Sequence, residues 1–331
     1  MSVTIKDVAR EAGVSVATVS RVLNGSTNVS EDSSARVNEA ISRLNYSPNF
    51  LGRSLRRCET NVILCIMPTS EHSLYSRIVS GMQRRADELG FDIVTAVSSG
   101  TSAAEARQMN MLFNKTVDGV VLLSTQFEAE ELNRLAKNYD IALCCEGVTG
   151  ADLLTVAVDD ESAAFDAVTT LINKGHKDIA LIGTNSESTS SHAREDGYKL
   201  ALEMAGIPYR EEYIYRDTYD YHCGGDALEQ FMSLKERPTA IFAVSDLLAI
   251  SAIHKASEMG IKVGSELAVM GFDNIFMCEM MVPTVSTVEQ PCGKMGELVV
   301  EKLINNIRSE NKDNGYYTVE HKLILRSSTG D

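Results

Sequence analysis

Two sets of side chains in this sequence have the types and spacing to do chemistry. The first is Val16, Ala17, Ser20 and Arg21. They share one face of a helical pattern whose opposite face, Val19, Val22 and Leu23, is apolar. A small, polar surface ending in an arginine suits close approach to the base edges and phosphates of a duplex. The second set stands at the ends of apolar runs: Ser70 and Tyr75, Glu146, Ser245-Asp246, and Asp273. Carboxylates at such positions each accept two hydroxyl hydrogen bonds, as a polar ligand requires. Catalytic patterns are missing. The sequence has no Gly-x-Gly-x-x-Gly or Gly-x4-Gly-Lys-Ser/Thr phosphate loop, no His-Glu-x-x-His and no Gly-x-Ser-x-Gly elbow. The six histidines are isolated, and Asp159-Asp160-Glu161 reads as the acidic start of a helix rather than a metal site. We therefore expect no enzyme, no metal and no cofactor.

The elements that carry the first set are short. Thr4 with Asp7 is a capping-box pattern, and Ile5, Val8, Ala9 and Ala12 give one apolar helical face. Gly13 suits a left-handed helix end, and Ser15 can cap a second helix that ends at Asn24-Gly25. Ser30-Glu31-Asp32 opens a third helix with a stripe of Val37, Ala40, Ile41 and Leu44. Two short helices around a tight turn, buttressed by a third, make a helix-turn-helix headpiece over residues 1–46. A basic run with a glycine in it, 49–57, follows Pro48 and places a hinge at 47–60.

From residue 61 onward apolar runs alternate with amphipathic patterns. Strands are expected at 62–67, 92–97, 119–123, 141–145, 179–182, 240–244 and 267–271. Helices are expected near 76–89, 103–115, 161–174, 193–205, 246–259 and 293–307. Such alternation means α/β structure with parallel sheets. The length of this part favours two similar lobes, with a ligand cleft at the carboxyl ends of their strands.

Charge divides the chain the same way. Residues 1–59 hold eight Lys and Arg against six Asp and Glu, while the remainder holds 23 against 40, which together give the net charge of −15. Phosphates repel an acidic body, so nucleic-acid contact is confined to the head. The seven cysteines (58, 65, 144, 145, 223, 278 and 292) form no Cys-x-x-Cys pair, which fits a reducing cytoplasm. No apolar stretch approaches membrane-spanning length, and Lys6, Asp7, Arg10 and Glu11 interrupt any secretory signal.

The motifs Lys6-Asp7-Val8-Ala9, Ala12-Gly13-Val14-Ser15 and Ala17-Thr18-Val19-Ser20-Arg21-Val22-Leu23-Asn24 resemble the lactose/galactose-repressor family of bacterial transcription regulators. Val29-Ser30, Ala40-Ile41, Leu44 and Tyr46-Ser47-Pro48-Asn49 continue the likeness. So do Gly175-His176, Arg194-Glu195-Asp196-Gly197-Tyr198, Val244-Ser245-Asp246, Gly271-Phe272-Asp273-Asn274, Glu289-Gln290-Pro291 and Leu325-Arg326-Ser327-Ser328-Thr329. One departure is Ser33-Ser34, where members usually carry Thr-Arg.

The resemblance implies a recognition helix with base-reading Val16, Ala17 and Arg21. It implies phosphate contacts near Thr4, Ser15, Thr18, Ser20, Asn24, Asn28, Ser30, Tyr46 and Asn49. Leu55 is implied as a minor-groove wedge on a hinge helix that also presents Arg53 and Arg56 to DNA. The body, 61–331, is implied to be periplasmic-binding-protein-like. Lobe one would take about 61–158 and 287–318; lobe two, about 159–286 and 319–331. Arg194, Asp273 and Ser245 are implied to line the effector pocket with Glu146, and Tyr219 or Tyr221 to supply a stacking face for a sugar ring. The expected whole is a homodimeric repressor of operator DNA that answers to a small polar effector, a sugar before a purine, nucleoside or phosphoprotein. The rivals are a solute-binding protein, which the headpiece argues against, and an enzyme on the same scaffold, which turnover assays would expose.

Overall fold

The computed structural model describes residues 3–23, 28–46, 59–186, 188–218 and 220–331. Asn24, Asn49, Arg53, Leu55 and Arg56 of the expected DNA contacts, Tyr219 of the expected effector contacts, and hinge residues 47–58 lie outside them. The chain divides into two compact units, Met1–Glu59 and Thr60–Asp331.

In the first unit, α1 (Ile5–Ala12) starts where the Asp7 carboxylate accepts from the Thr4 backbone N–H at 3.0 Å and from the Thr4 hydroxyl at 2.6 Å. Gly13 ends the helix at φ 64°. Ser15 Oγ accepts the Thr18 amide at 3.1 Å and opens α2 (Val16–Leu23). Ser30 Oγ accepts the Ser33 amide at 3.3 Å and opens α3 (Glu31–Leu44). The core is six side chains: Val8, Ala9, Ala12, Val19, Val37 and Ala40. Val22, Leu23, Ile41, Leu44 and Tyr46 pack around it. A core of that size stabilises a fold only marginally. The exposed Arg43–Glu11 ion pair, at 2.8 Å, adds little.

The second unit begins with β1 (Val62–Met67), α4 (Ser73–Leu89), β2 (Asp92–Val97), α5 (Ser102–Phe113), β3 (Gly119–Leu122), α6 (Ala129–Ala136), β4 (Asp140–Cys145) and β5 (Leu154–Ala157). It continues with α7 (Asp160–Asn173), β6 (Ile179–Thr184), α8 (Thr189–Met204), β7 (Ile214–Asp217), α9 (Tyr221–Ser233), β8 (Ala240–Ala243), α10 (Asp246–Glu258), β9 (Ala268–Asp273) and α11 (Met277–Met280). Last come β10 (Ser286–Glu289), α12 (Cys292–Arg308), β11 (Tyr316–Thr318) and β12 (Lys322–Ile324). Two six-stranded sheets result, ordered β11-β5-β4-β3-β1-β2 and β12-β10-β9-β8-β6-β7. All pairings are parallel except β10 with β12. The central strands are continuous apolar runs because helices cover both faces.

Each sheet is the heart of one lobe. The chain passes from the first to the second after β5, returns after β10, and passes back between β11 and β12. The middle passage therefore follows Glu289, three residues later than the expected boundary at 286/287. Ser286 and Thr287 lack the look of a strand, yet they are fully buried and pair with Met270 and Gly271 of β9. α12 returns to the first lobe and lies along α4.

Candidate functional site

On the headpiece, Val16, Ala17 and Arg21 are exposed and Ser20 is half-buried, while Val19 beside them is fully buried. Val16 retains 41% of its surface. Thr4, Ser15, Asn28 and Ser30 are exposed and Thr18 is half-buried. Ser15 and Ser30 also serve as helix caps, so the expected phosphate-facing hydroxyls sit at helix N-termini, where backbone N–H groups already favour an anion. Tyr46 is half-buried, its ring packed on the headpiece core.

In the body, a cavity of about 380 Å³ opens between the carboxyl ends of the two sheets. Tyr75, Glu146, Arg194, Ser245 and Asp273 all line it. Ser70 does not: it is exposed, and Thr69 and His72 face the cavity from that loop instead. Tyr221 starts α9, keeps 39% of its surface and is not part of the lining.

Arg194 is the centre of the cleft's charge. Its Nε donates to Asp160 Oδ1 at 2.8 Å and its Nη1 to the Val244 carbonyl at 2.7 Å. The same Nη1 lies 3.6 Å from Asp273 Oδ1, and the guanidinium lies over the Phe272 ring, 3.7 Å from its centroid. Gly197 makes this possible. A Cβ there would stand 2.2 Å from the Glu161 carbonyl oxygen, so only glycine lets α8 press against α7 and bring Arg194 to Asp160. Asp160 opens α7 as the acidic run implied, but it is buried, and its neighbour Asp159 does the capping by accepting the Ser162 amide at 3.0 Å. Burial raises the Asp160 carboxyl above the usual range, Arg194 opposes that shift, and Asp273 and Glu146 reinforce it.

Asp273 is 2% exposed and ends β9 with φ 113°, followed by Asn274 at φ 50°. Cys145, another lining residue, ends β4 at φ 84°. Non-glycine residues in this region carry backbone strain, which collects at ligand sites. Four groups hold Asp273 in place. Gln290 Nε2 donates to its Oδ1 at 2.7 Å, and His72 Nε2 lies 3.6 Å from its Oδ2. Arg77 Nη1 reaches across from α4 to the Asp273 carbonyl at 3.4 Å and the Asn274 carbonyl at 2.7 Å; Arg194 is the fourth. Gln290 and His72 were missed as site residues. Gln290 sits on the passage between lobes, and His72 Nδ1 accepts the Leu74 amide at 3.2 Å, a capping role that hides its second nitrogen.

Asp246 lies behind Asp273, fully buried, not in the lining. Thr287 Oγ1 donates to it at 2.5 Å and the Ile275 amide at 2.8 Å. Burial, then the Asp273 charge, pushes its carboxyl up to about 7 despite those bonds. A second cavity of about 510 Å³ shares Glu146 and Ser190 with the first, and includes Asp160 and the exposed Tyr316. Among the described residues no cluster of His, Cys, Asp and Glu could hold a metal ion. No described helix is long and apolar enough to cross a membrane.

Residues 4–49 match the family model of bacterial regulatory proteins of the lacI family, and residues 168–329 match that of a periplasmic binding protein-like domain. Catabolite control protein A of Priestia megaterium is 35% identical over 331 residues, covering 99% of this chain and 100% of that one. The HTH-type transcriptional repressor CytR of Escherichia coli (strain K12) is 32% identical, covering 98% and 96%. Among solved structures, the transcriptional regulator CelR in its cellobiose complex matches with a TM-score of 0.75 and 28% identity, over 98% and 99% of the two chains. The Lac repressor dimer bound to operator and the anti-inducer ONPF shares the fold with a TM-score of 0.90 over 99% of both chains, at 24% identity. A headpiece that exposes Val16, Ala17 and Arg21, a cleft built on Arg194 and Asp273, and relatives matched end to end leave one conclusion: this chain belongs to the lacI family of bacterial regulatory proteins, which regulate transcription by binding DNA.

Proposed function

We propose that this chain is a cytoplasmic, homodimeric repressor whose grip on operator DNA changes when a small polyhydroxylated molecule, a sugar, occupies the cleft between the sheets. The observation that carries the reading is the cleft. It is a cavity of about 380 Å³, lined from both lobes by apolar surface and hydroxyl side chains, with a pre-paired Arg194 and a strained, buried Asp273. Paired carboxylate and guanidinium groups are suited to adjacent ring hydroxyls. The cellobiose complex of CelR, a relative at 28% identity, supports a saccharide. Phe276, Met280 and Val282 keep 64%, 72% and 91% of their surface, an apolar patch on the second lobe that a second copy of the chain would cover. The proposed DNA contacts are the headpiece residues named above, with Asn24, Asn49, Arg53, Leu55 and Arg56 completing them.

Coupling of this kind amounts to about 1–3 kcal/mol and is reciprocal, so effector must weaken operator binding by the factor by which operator weakens effector binding. The test is an anisotropy titration of the full chain on its own promoter region and on scrambled duplex, with and without each member of a sugar panel. Tight binding to the promoter alone, shifted by one sugar, is the expected result. Equal affinity for both duplexes refutes the DNA reading. A shift that survives Asp273→Ala with Arg194→Ala removes the effector from this cleft. Turnover of any panel sugar would favour an enzyme instead.

A further inference from the structure

The charge balance of the cleft is not what its lining suggests. Arg194 is the only Lys or Arg among the described lining residues. It is already engaged: Asp160 takes its Nε at 2.8 Å, and Asp273 stands 3.6 Å from its Nη1. Glu146, on the rim, receives a hydrogen bond from Ser190 at 3.2 Å and adds a third carboxylate. His72 faces Asp273 from the opposite lobe. Three carboxylates thus stand in or beside the cleft against one lining guanidinium, Arg77 being spent on the Asp273 and Asn274 carbonyls outside the lining, and two of the three, Asp160 and Asp273, are buried where water screens little.

Resting on the reading of the cleft as the effector site, we infer that it rejects phosphate- and carboxylate-bearing effectors and takes an uncharged or ammonium-bearing polyol. Asp160 sets that selection by neutralising Arg194 from behind. It does not line the 380 Å³ cavity, so it acts through the guanidinium, as a positioning residue. An anion entering the cleft meets Glu146 and Asp273 with no uncommitted guanidinium to offset them. Like-charge juxtaposition of that sort is a strong means of excluding a wrong partner. An ammonium on the ligand meets the reverse situation.

The experiment titrates the full chain with glucose, glucosamine, glucose 6-phosphate and inorganic phosphate at neutral pH and fixed ionic strength, read by calorimetry and thermal shift. In the wild type, glucosamine is expected to bind at least as tightly as glucose, glucose 6-phosphate about tenfold or more weaker, and inorganic phosphate without a shift. Asp160→Asn is expected to close the gap between glucose and its phosphate and to produce a phosphate-dependent thermal shift. A purely structural role for Asp160 would weaken all ligands alike. Glu146→Gln, on the partly exposed rim, is expected to narrow the same gap by a smaller factor, and it decides the matter if Asp160→Asn fails to fold. Phosphate or glucose 6-phosphate binding to the wild type as tightly as glucose overturns the inference while leaving the effector site standing. Variants that keep the wild-type ratios overturn it as well. Hexose binding untouched by Asp273→Ala overturns the effector site itself, and this inference with it.

Discussion

The headpiece surface and the cleft solve opposite problems. The face of α2 offers exposed side chains on a regular helix, whose cap, Ser15, accepts from the amide three positions on. Its recognition groups are in water until a duplex arrives. The cleft offers buried charges from distant parts of the chain, held on left-handed backbone at Cys145, Asp273 and Asn274 and paired with one another before any ligand is present. On the headpiece the exposed Val16, Ala17 and Arg21 are separable from its stability, while Ser15 and Ser30 double as helix caps; in the cleft the paired charges are part of the body's stability throughout.

The largest expected break of that contrast is Arg194→Ala. It leaves Asp160 and Asp273 buried without their shared cation, a loss of about 3–5 kcal/mol. Urea denaturation of the body should report it, together with a lost effector response. A pH series on Asp246→Asn comes next. Burial, then the Asp273 charge, pushes the wild-type carboxyl up to about 7 from an ordinary value of 3.8, so the folded state holds this proton more tightly. Its contribution is full below about pH 4 and is lost as pH rises through about 7, at up to about 1.4 kcal/mol per pH unit. The stability difference between wild type and variant should follow that slope and flatten above it. Glu195, held down to about 2 chiefly by the Arg216 hydrogen bond, acts in the opposite sense, its stabilisation disappearing as pH falls below about 4.5.

On the headpiece the effects should separate. Arg21→Ala should cost about 1–3 kcal/mol of operator discrimination with no change in thermal stability. A melting shift as large as the binding loss would collapse the distinction drawn between the two regions. Ser15→Ala is the smallest: about 1 kcal/mol of headpiece stability through the lost cap, visible in circular dichroism of full-length protein as earlier loss of a minor helical fraction.

The same contrast explains what could be read in advance. Headpiece helices follow from local periodicity and caps, and β1 and β2 match their expected bounds; β1 is a bounded apolar run, whereas β2, with Asp92 and Thr95 in it, is a largely exposed strand at the sheet edge. β10 was invisible because its buried Ser286 and Thr287 satisfy their hydroxyls through contacts more than 40 residues away. α9 was missed because Gly224-Gly225 reads as a breaker. Gly224 is there for packing: a Cβ would stand 2.1 Å from the Leu248 carbonyl of α10. α8 starts at Thr189, earlier than expected, because Ser188 caps it inside a polar run that has no apolar stripe to show. Arg194 and Asp273 were reached, in Arg194's case by family likeness alone. Asp160 and Gln290 carry no local signal, since each is defined by a partner 34 or 17 residues distant.

Arg77 gives the molecule a constraint that neither region shows alone. Its guanidinium, rooted in the first lobe, grips the two carbonyls flanking the peptide that leads out of Asp273, while the Asp273 side chain faces the cavity from the second. Arg77 therefore ties the first lobe to the stretch of backbone from which the Asp273 carboxylate turns toward the cavity. A residue swap at 273 that relaxes its left-handed backbone would displace the carbonyls Arg77 holds, so engineered sensors built on this chain should preserve that backbone when the side chain is changed.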